Sequence, residues 1–181
     1  MELVIVIALL IALLVVSFTV LFVMWIRSVR KKLVIMDENV KNAMGQIGVQ
    51  LASRFDVLSV LLGLVKGYAG CEAVGLMNTL NGQRNDITAI STPEDVLKQE
   101  GLIFEALNRV VMMAERYPEL KADANYALCM DAADGYKKMV QTSSLIYNDS
   151  VARLNKMIGR TPNTLIAGLL GFHQKEYLNF Q

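Results

Sequence analysis

One histidine and two cysteines leave this 181-residue chain short of soft metal ligands. His173 stands alone beside Phe172, so the paired-histidine spacing of a helical zinc site is absent. Cys71 and Cys129 are too far apart in sequence to form a ligand pair motif, and both sit among apolar neighbours. There is no Gly-x-Ser-x-Gly elbow, no Walker loop and no dinucleotide fingerprint. The named catalytic and cofactor motifs are therefore unmatched, and no enzyme, cofactor or metal site is expected. Only three prolines occur, at positions 93, 118 and 162, so long helices can run between them. No stretch of useful length alternates apolar and polar residues, which excludes a β-rich fold.

What the chain has in abundance is apolar residues, and they start at once. Leu3 to Ile26 is unbroken by charge, with only Ser17 and Thr19 supplying hydroxyls. A helix rises about 1.5 Å per residue and a bilayer core is about 30 Å thick, so this run is long enough to span with some tilt. A cleaved signal peptide would want a basic start and a shorter apolar core, and a soluble core helix would show a polar face. Neither pattern is present. The expected membrane anchor includes Leu3, Val4, Ile5, Leu10, Leu14, Phe18, Phe22, Trp25 and Ile26, with Trp25 at the interface.

Arg27, Arg30, Lys31 and Lys32 follow immediately. Basic residues next to a span stay on the cytoplasmic side, so the expected topology is N-terminus outside and the remaining chain in the cytoplasm. The same four residues suit lipid headgroups. Without residues 1–32 the chain holds 14 Lys plus Arg against 16 Asp plus Glu. A mildly acidic domain with no basic stripe argues against nucleic acid as a partner. In a reducing cytoplasm the two cysteines are expected as buried free thiols.

Residues 33–181, one domain's worth of chain, read as helix almost throughout. Val40, Met44, Ile47, Leu51, Leu58, Leu61, Val65 and Tyr68 form a heptad seam on a helix of roughly 50 Å. A second helix is expected from about Cys71 to Ile90, through Val74, Met77, Leu80 and Ile87. Thr92-Pro93-Glu94-Asp95 then carries a cap, a first-turn proline and first-turn acids, which start a third helix that ends at Tyr117-Pro118. A fourth is expected from about Ala122 to Gly159, with Tyr126, Ala133, Val140, Tyr147, Val151 and Ile158 on its seam. The residues after Pro162 are too apolar to lie free in water, and folding back on the bundle is the preferred reading. The fold class is all-α: a transmembrane helix and an up-and-down bundle of about four long antiparallel helices.

Arg54 falls on the first seam, where a charge needs a partner or a route to water. An ion-paired structural arginine is the favoured reading. Gly45 and Gly48 lower helix propensity by about 1 kcal/mol each relative to Ala, so they are expected to admit a close neighbouring helix. Tyr147, Asn148 and Phe172 complete the candidate interaction or register residues.

Three blocks resemble the LemA family of bacterial membrane proteins. The first is Ala43 to Leu51 with Arg54-Phe55-Asp56 and Val65 to Ala69; the second is Ala114 to Ala122. The third is Tyr147-Asn148-Asp149 with Val151, Asn155, Pro162, Gly171-Phe172 and Tyr177. The resemblance implies a bundle of long helices and a scaffolding role at membranes. The expected function is a non-enzymatic single-pass membrane scaffold or self-assembling homo-oligomer, with the lipid bilayer as its first partner. The alternative is an accessory or regulatory subunit of another membrane protein, such as a protease.

Overall fold

The computed structural model describes residues 1–180, apart from the side chains of Val4 and Ala8. The anchor side chain of Val4 thus lies outside the described residues. Five helices follow one another: α1 Glu2–Gln83, α2 Pro93–Arg116, α3 Pro118–Lys121, α4 Ala124–Ile158 and α5 Asn163–Leu169. No strand occurs among the described residues.

The 82 residues of α1 are not one rod. Gly70 has φ 45° and ψ −110°, a conformation open only to glycine. Arg84 Nη1 lies 3.1 Å from Asp56 Oδ1, and the Arg84 guanidinium sits 4.7 Å from the centre of the Phe55 ring. Along an unbroken helix, positions 56 and 84 would be roughly 40 Å apart. The chain therefore reverses at Gly70, and residues 71–83 fold back along residues 55–69. The second helix expected from Cys71 is present as this short arm. It ends at Gln83 instead of Ile90, because the side chain of Gln99 caps it: Nε2 donates to the Gln83 carbonyl (3.1 Å) and Oε1 accepts from Asn85 N (3.1 Å).

The start of α2 is set by its sequence. Thr92 Oγ1 accepts from Asp95 N (3.3 Å) while Asp95 Oδ2 accepts from Thr92 N (2.8 Å), a reciprocal capping box, and Pro93 opens the first turn. Tyr117-Pro118 ends α2, and the single turn of α3 leads into α4, two residues later than expected. An exposed ion pair, Arg116 Nη2 to Glu72 Oε1 at 2.8 Å, ties the end of α2 to the short arm of α1. Within residues 39–151 the chain thus runs up, down, up and down through the two arms of α1, then α2 and α4.

The buried stripes are those of the heptad seams. Val40, Met44, Ile47, Leu51, Leu58, Leu61 and Val65 are all buried, as are Val96, Ile103, Leu107, Val110 and Ala114 of α2. Burying one such side chain contributes about 1.5–3 kcal/mol, which outweighs the propensity cost of the intervening glycines. Tyr68 differs, being 37% exposed beside the reversal. On the short arm the core is made by Ala73, Leu76 and Leu80, so the buried face is turned by about one residue from the expected Val74 and Met77. Both cysteines are free, but Cys71 is exposed, because it lies off the short arm's buried stripe, and Cys129 is half-buried, at the edge of the stripe of α4.

The chain divides into two compact units. One comprises Met1–Glu38 with Ala152–Lys175; the other comprises Asn39–Val151 with Glu176–Gln181. In the first, the apolar run of α1 is bare: Leu3, Ile5, Leu10, Leu14, Phe18 and Phe22 are all exposed, and Trp25 and Ile26 are half-buried. Burial begins at Val29 and Leu33. This helix is long and apolar enough to cross a membrane. Arg27, Arg30, Lys31 and Lys32 all point outward below it.

Candidate functional site

Three polar arrangements stand out against the apolar core, and the sequence reading touched a member of each. The first is Arg54, 1% exposed, whose Nη1 pairs with Glu100 Oε1. The seam of α1 delivers the guanidinium inward, and α2 meets it with a carboxylate one residue past the Gln99 cap. Arg54 Nε and Glu100 Oε2 have no protein partner. Pairing a buried charge is what makes it tolerable, so Arg54 is an ion-paired structural residue that fixes how α2 sits on α1.

The second arrangement surrounds Gly48. A Cβ built there would overlap the Ile87 carbonyl oxygen and stand 2.9 Å from its carbonyl carbon. Gly48 therefore does admit a close neighbour, but that neighbour is the connection after α1, not a helix. Gly45 has nothing within 4 Å of a Cβ, so the expected close approach is absent there. Beside Gly45 and Gly48 lies an open cleft of about 310 Å³, lined also by Phe55, Arg84, Asp86 and Gln99. Arg84 is occupied on three sides, by Asp56, by Asp86 (3.5 Å) and by the Phe55 ring.

The third arrangement holds the C-terminal segment. Asn148 Nδ2 donates to the Leu178 carbonyl (2.7 Å), and Asn148 Oδ1 accepts from Leu178 N (2.8 Å). Asn155 repeats the pattern on Lys175, at 2.8 Å and 2.9 Å. Each amide side chain thus replaces the backbone partner that an extended segment lacks. The Tyr147 hydroxyl donates to the Glu176 carbonyl at 3.1 Å. Leu178 is buried, so the end of the tail folds back as expected, whereas Leu165, Leu169, Leu170 and Tyr177 stay exposed, against the expectation for the tail as a whole. Tyr147 and Asn148 are brought together on Glu176 and Leu178, while Phe172 lies in the other compact unit and Arg54, Gly45 and Gly48 belong to the other two arrangements.

The shifted titrations have structural causes. Hydrogen bonds from the Thr92 backbone and then its side chain hold Asp95 below the usual carboxylate range. Burial, and secondarily the charge of Glu115, raises Tyr126; burial, and secondarily Glu176, raises Tyr147. None is paired with a second titrating group in the manner of an acid–base couple. His173 is exposed, and no group of three or more His, Cys, Asp or Glu gathers among the described residues.

Sequence reasoning missed Gln99, Glu100 and Arg84. Glu100 was findable in principle, since a seam arginine demands a carboxylate. Gln99 left no such signal, because a buried glutamine at a helix seam looks like any other polar interruption.

Fold and polar framework together define a helical-bundle protein headed by a bare apolar helix. The chain belongs to the LemA family, whose model matches residues 43–181. No curated protein matches it.

Proposed function

We propose that this chain is a single-pass membrane protein of the bacterial cell membrane, N-terminus outside and bundle in the cytoplasm, that works as a non-enzymatic scaffold or self-assembling module. The observation that carries the reading is the bare apolar helix: no protein covers the side chains described from Leu3 to Met24, and water is a poor solvent for them. The basic cluster at residues 27–32 supports the orientation.

A surface for assembly is supplied by the bundle itself. Val60 and Leu128 are 60% and 69% exposed and flank a shallow groove between α1 and α4, of about 330 Å³, with Val57, Ala132 and Tyr136 along it. This groove replaces the glycines as the preferred contact face, since Gly48 is already occupied by Ile87.

Crosslinking in native membranes, with mass spectrometry of the linked species, tests the proposal. Links from the α1–α4 groove to the same chain support self-assembly. A single reproducible foreign partner overturns it in favour of an accessory subunit of another membrane protein, such as a protease.

A further inference from the structure

The short helix α5 buries one side and leaves two leucines bare on the other. Ile166 and Ala167 are buried, while Leu165 and Leu169 are 73% and 87% exposed. Positions 165 and 169 lie one turn apart on one helix face; Ala167 is on the opposite side, and Ile166 lies between the two. Leucines this exposed, one turn apart, are unexpected on a surface that meets only water.

Two observations indicate what covers them. First, α5 lies in the same compact unit as the bare apolar helix, and the only other chain in that unit is Ala152–Lys175. Val29 and Leu33, just past the end of the apolar run and in the same unit, are buried. The leucines of α5 therefore belong to the part of the molecule that carries the membrane helix. Second, this unit is basic. It holds eight Lys or Arg against three Asp or Glu, whereas the other unit holds ten against fourteen. From Ser150 to Lys175 there is no acidic residue at all, and Lys156 and Arg160 are exposed beside α5, as Arg27, Arg30, Lys31 and Lys32 are on α1.

We propose that α5 is a second membrane contact: Leu165 and Leu169 enter the headgroup–acyl boundary of an anionic bilayer, with Lys156 and Arg160 on its lipid phosphates. Apolar insertion combined with basic attraction is the pairing that holds interfacial helices on anionic membranes. The proposal rests on the membrane-anchored reading above. It adds that the unit carrying the apolar helix touches the bilayer a second time, through α5.

The test uses the full chain with Cys71→Ser and Cys129→Ser, reconstituted in phosphatidylcholine vesicles containing phosphatidylglycerol. An environment-sensitive fluorophore is placed in turn at Leu165→Cys, Leu169→Cys, Leu14→Cys in the apolar run and Leu145→Cys, which is 71% exposed in the other unit. Brominated acyl chains are expected to quench most of the emission at 165 and 169, and at 14, and little at 145. Leaving out phosphatidylglycerol, or substituting Lys156→Gln with Arg160→Gln, is expected to reduce quenching at 165 and 169 without changing it at 14. Quenching at 14 with water-accessible labels at 165 and 169 overturns the α5 contact and leaves the anchor standing. Loss of quenching at 14 as well overturns the anchor itself. Labels at 165 and 169 shielded from both water and lipid quenchers place a protein surface there and overturn the proposal.

Discussion

Gly48 faces the main-chain carbonyl of Ile87 so closely that a single added methyl group would overlap it. The obstacle is backbone, which cannot rotate away as a side chain would. Gly48→Ala is expected to dislodge the connection after α1 and to cost at least about 1–3 kcal/mol, the range for overpacking. Gly45→Ala, three residues earlier in open space, is expected to be neutral or to stabilise by up to about 1 kcal/mol through helix propensity. Thermal denaturation of the two variants side by side checks this, with amide exchange at Ile87 reporting the loosened connection.

Gly70 makes a different demand. Nothing crowds a Cβ there, but its φ of 45° with ψ of −110° is closed to other residues. Gly70→Ala is expected to cost about 1–3 kcal/mol as backbone strain. The alternative open to the variant is a straighter helix, which would part Arg84 from Asp56. Distance measurement between spin labels near positions 56 and 84 distinguishes a strained hairpin from an opened one.

Removing only one partner of the Arg54–Glu100 pair strands the other. Glu100→Ala is expected to destabilise the bundle by about 3–5 kcal/mol, since it leaves an uncompensated buried guanidinium. The double variant Arg54→Met/Glu100→Leu is expected to recover most of that loss, because an apolar pair of similar volume avoids desolvating charge. Chemical denaturation of the two proteins gives the comparison directly.

The tail clamp has a pH signature. Burial raises the Tyr147 phenol above its ordinary value of about 10, so the folded protein holds that proton more tightly than the unfolded chain does. Its contribution is complete below about pH 10 and is lost as pH rises through the higher folded value. Stability is expected to fall in that alkaline window and to fall less in Tyr147→Phe. Asn148→Ala, which removes both hydrogen bonds to Leu178, is expected to cost about 1–3 kcal/mol at every pH. Rapid amide exchange at Leu178 reads out the freed tail.

Much of this framework was legible in the sequence, for identifiable reasons. The first seam from Val40 to Val65 predicted burial correctly, because a long helix leaves periodicity no freedom to drift. Thr92-Pro93 and Tyr117-Pro118 marked α2 because caps and prolines act locally. Ile87 misled: it continued the apolar spacing of the short arm, yet it is buried as a loop residue against Gly48. The reversal at Gly70 gave only a faint sign, the seam's weakening after Val65. The tail lacks periodicity altogether, since Asn148 and Asn155 hold it through side-chain bonds to its backbone and demand nothing of its sequence. The polar pairing was half legible: Arg54 announced that a partner must exist, but only the fold could choose Glu100.

The turn at Gly70 also makes the hairpin intolerant of changes in length. Its two arms meet without a connecting loop, so neither has slack. One residue inserted between Gly48 and Gly70 would swing the following apolar stripe through about 100° and carry Phe55 and Asp56 out of line with Arg84. The stretch from Thr88 to Ser91, closed by a hydrogen bond from Thr88 N to Ser91 Oγ at 3.0 Å and topped by the exposed Ile90, has no such bookkeeping to keep. Length variation in proteins built on this plan is therefore expected at the second connection and not at the first.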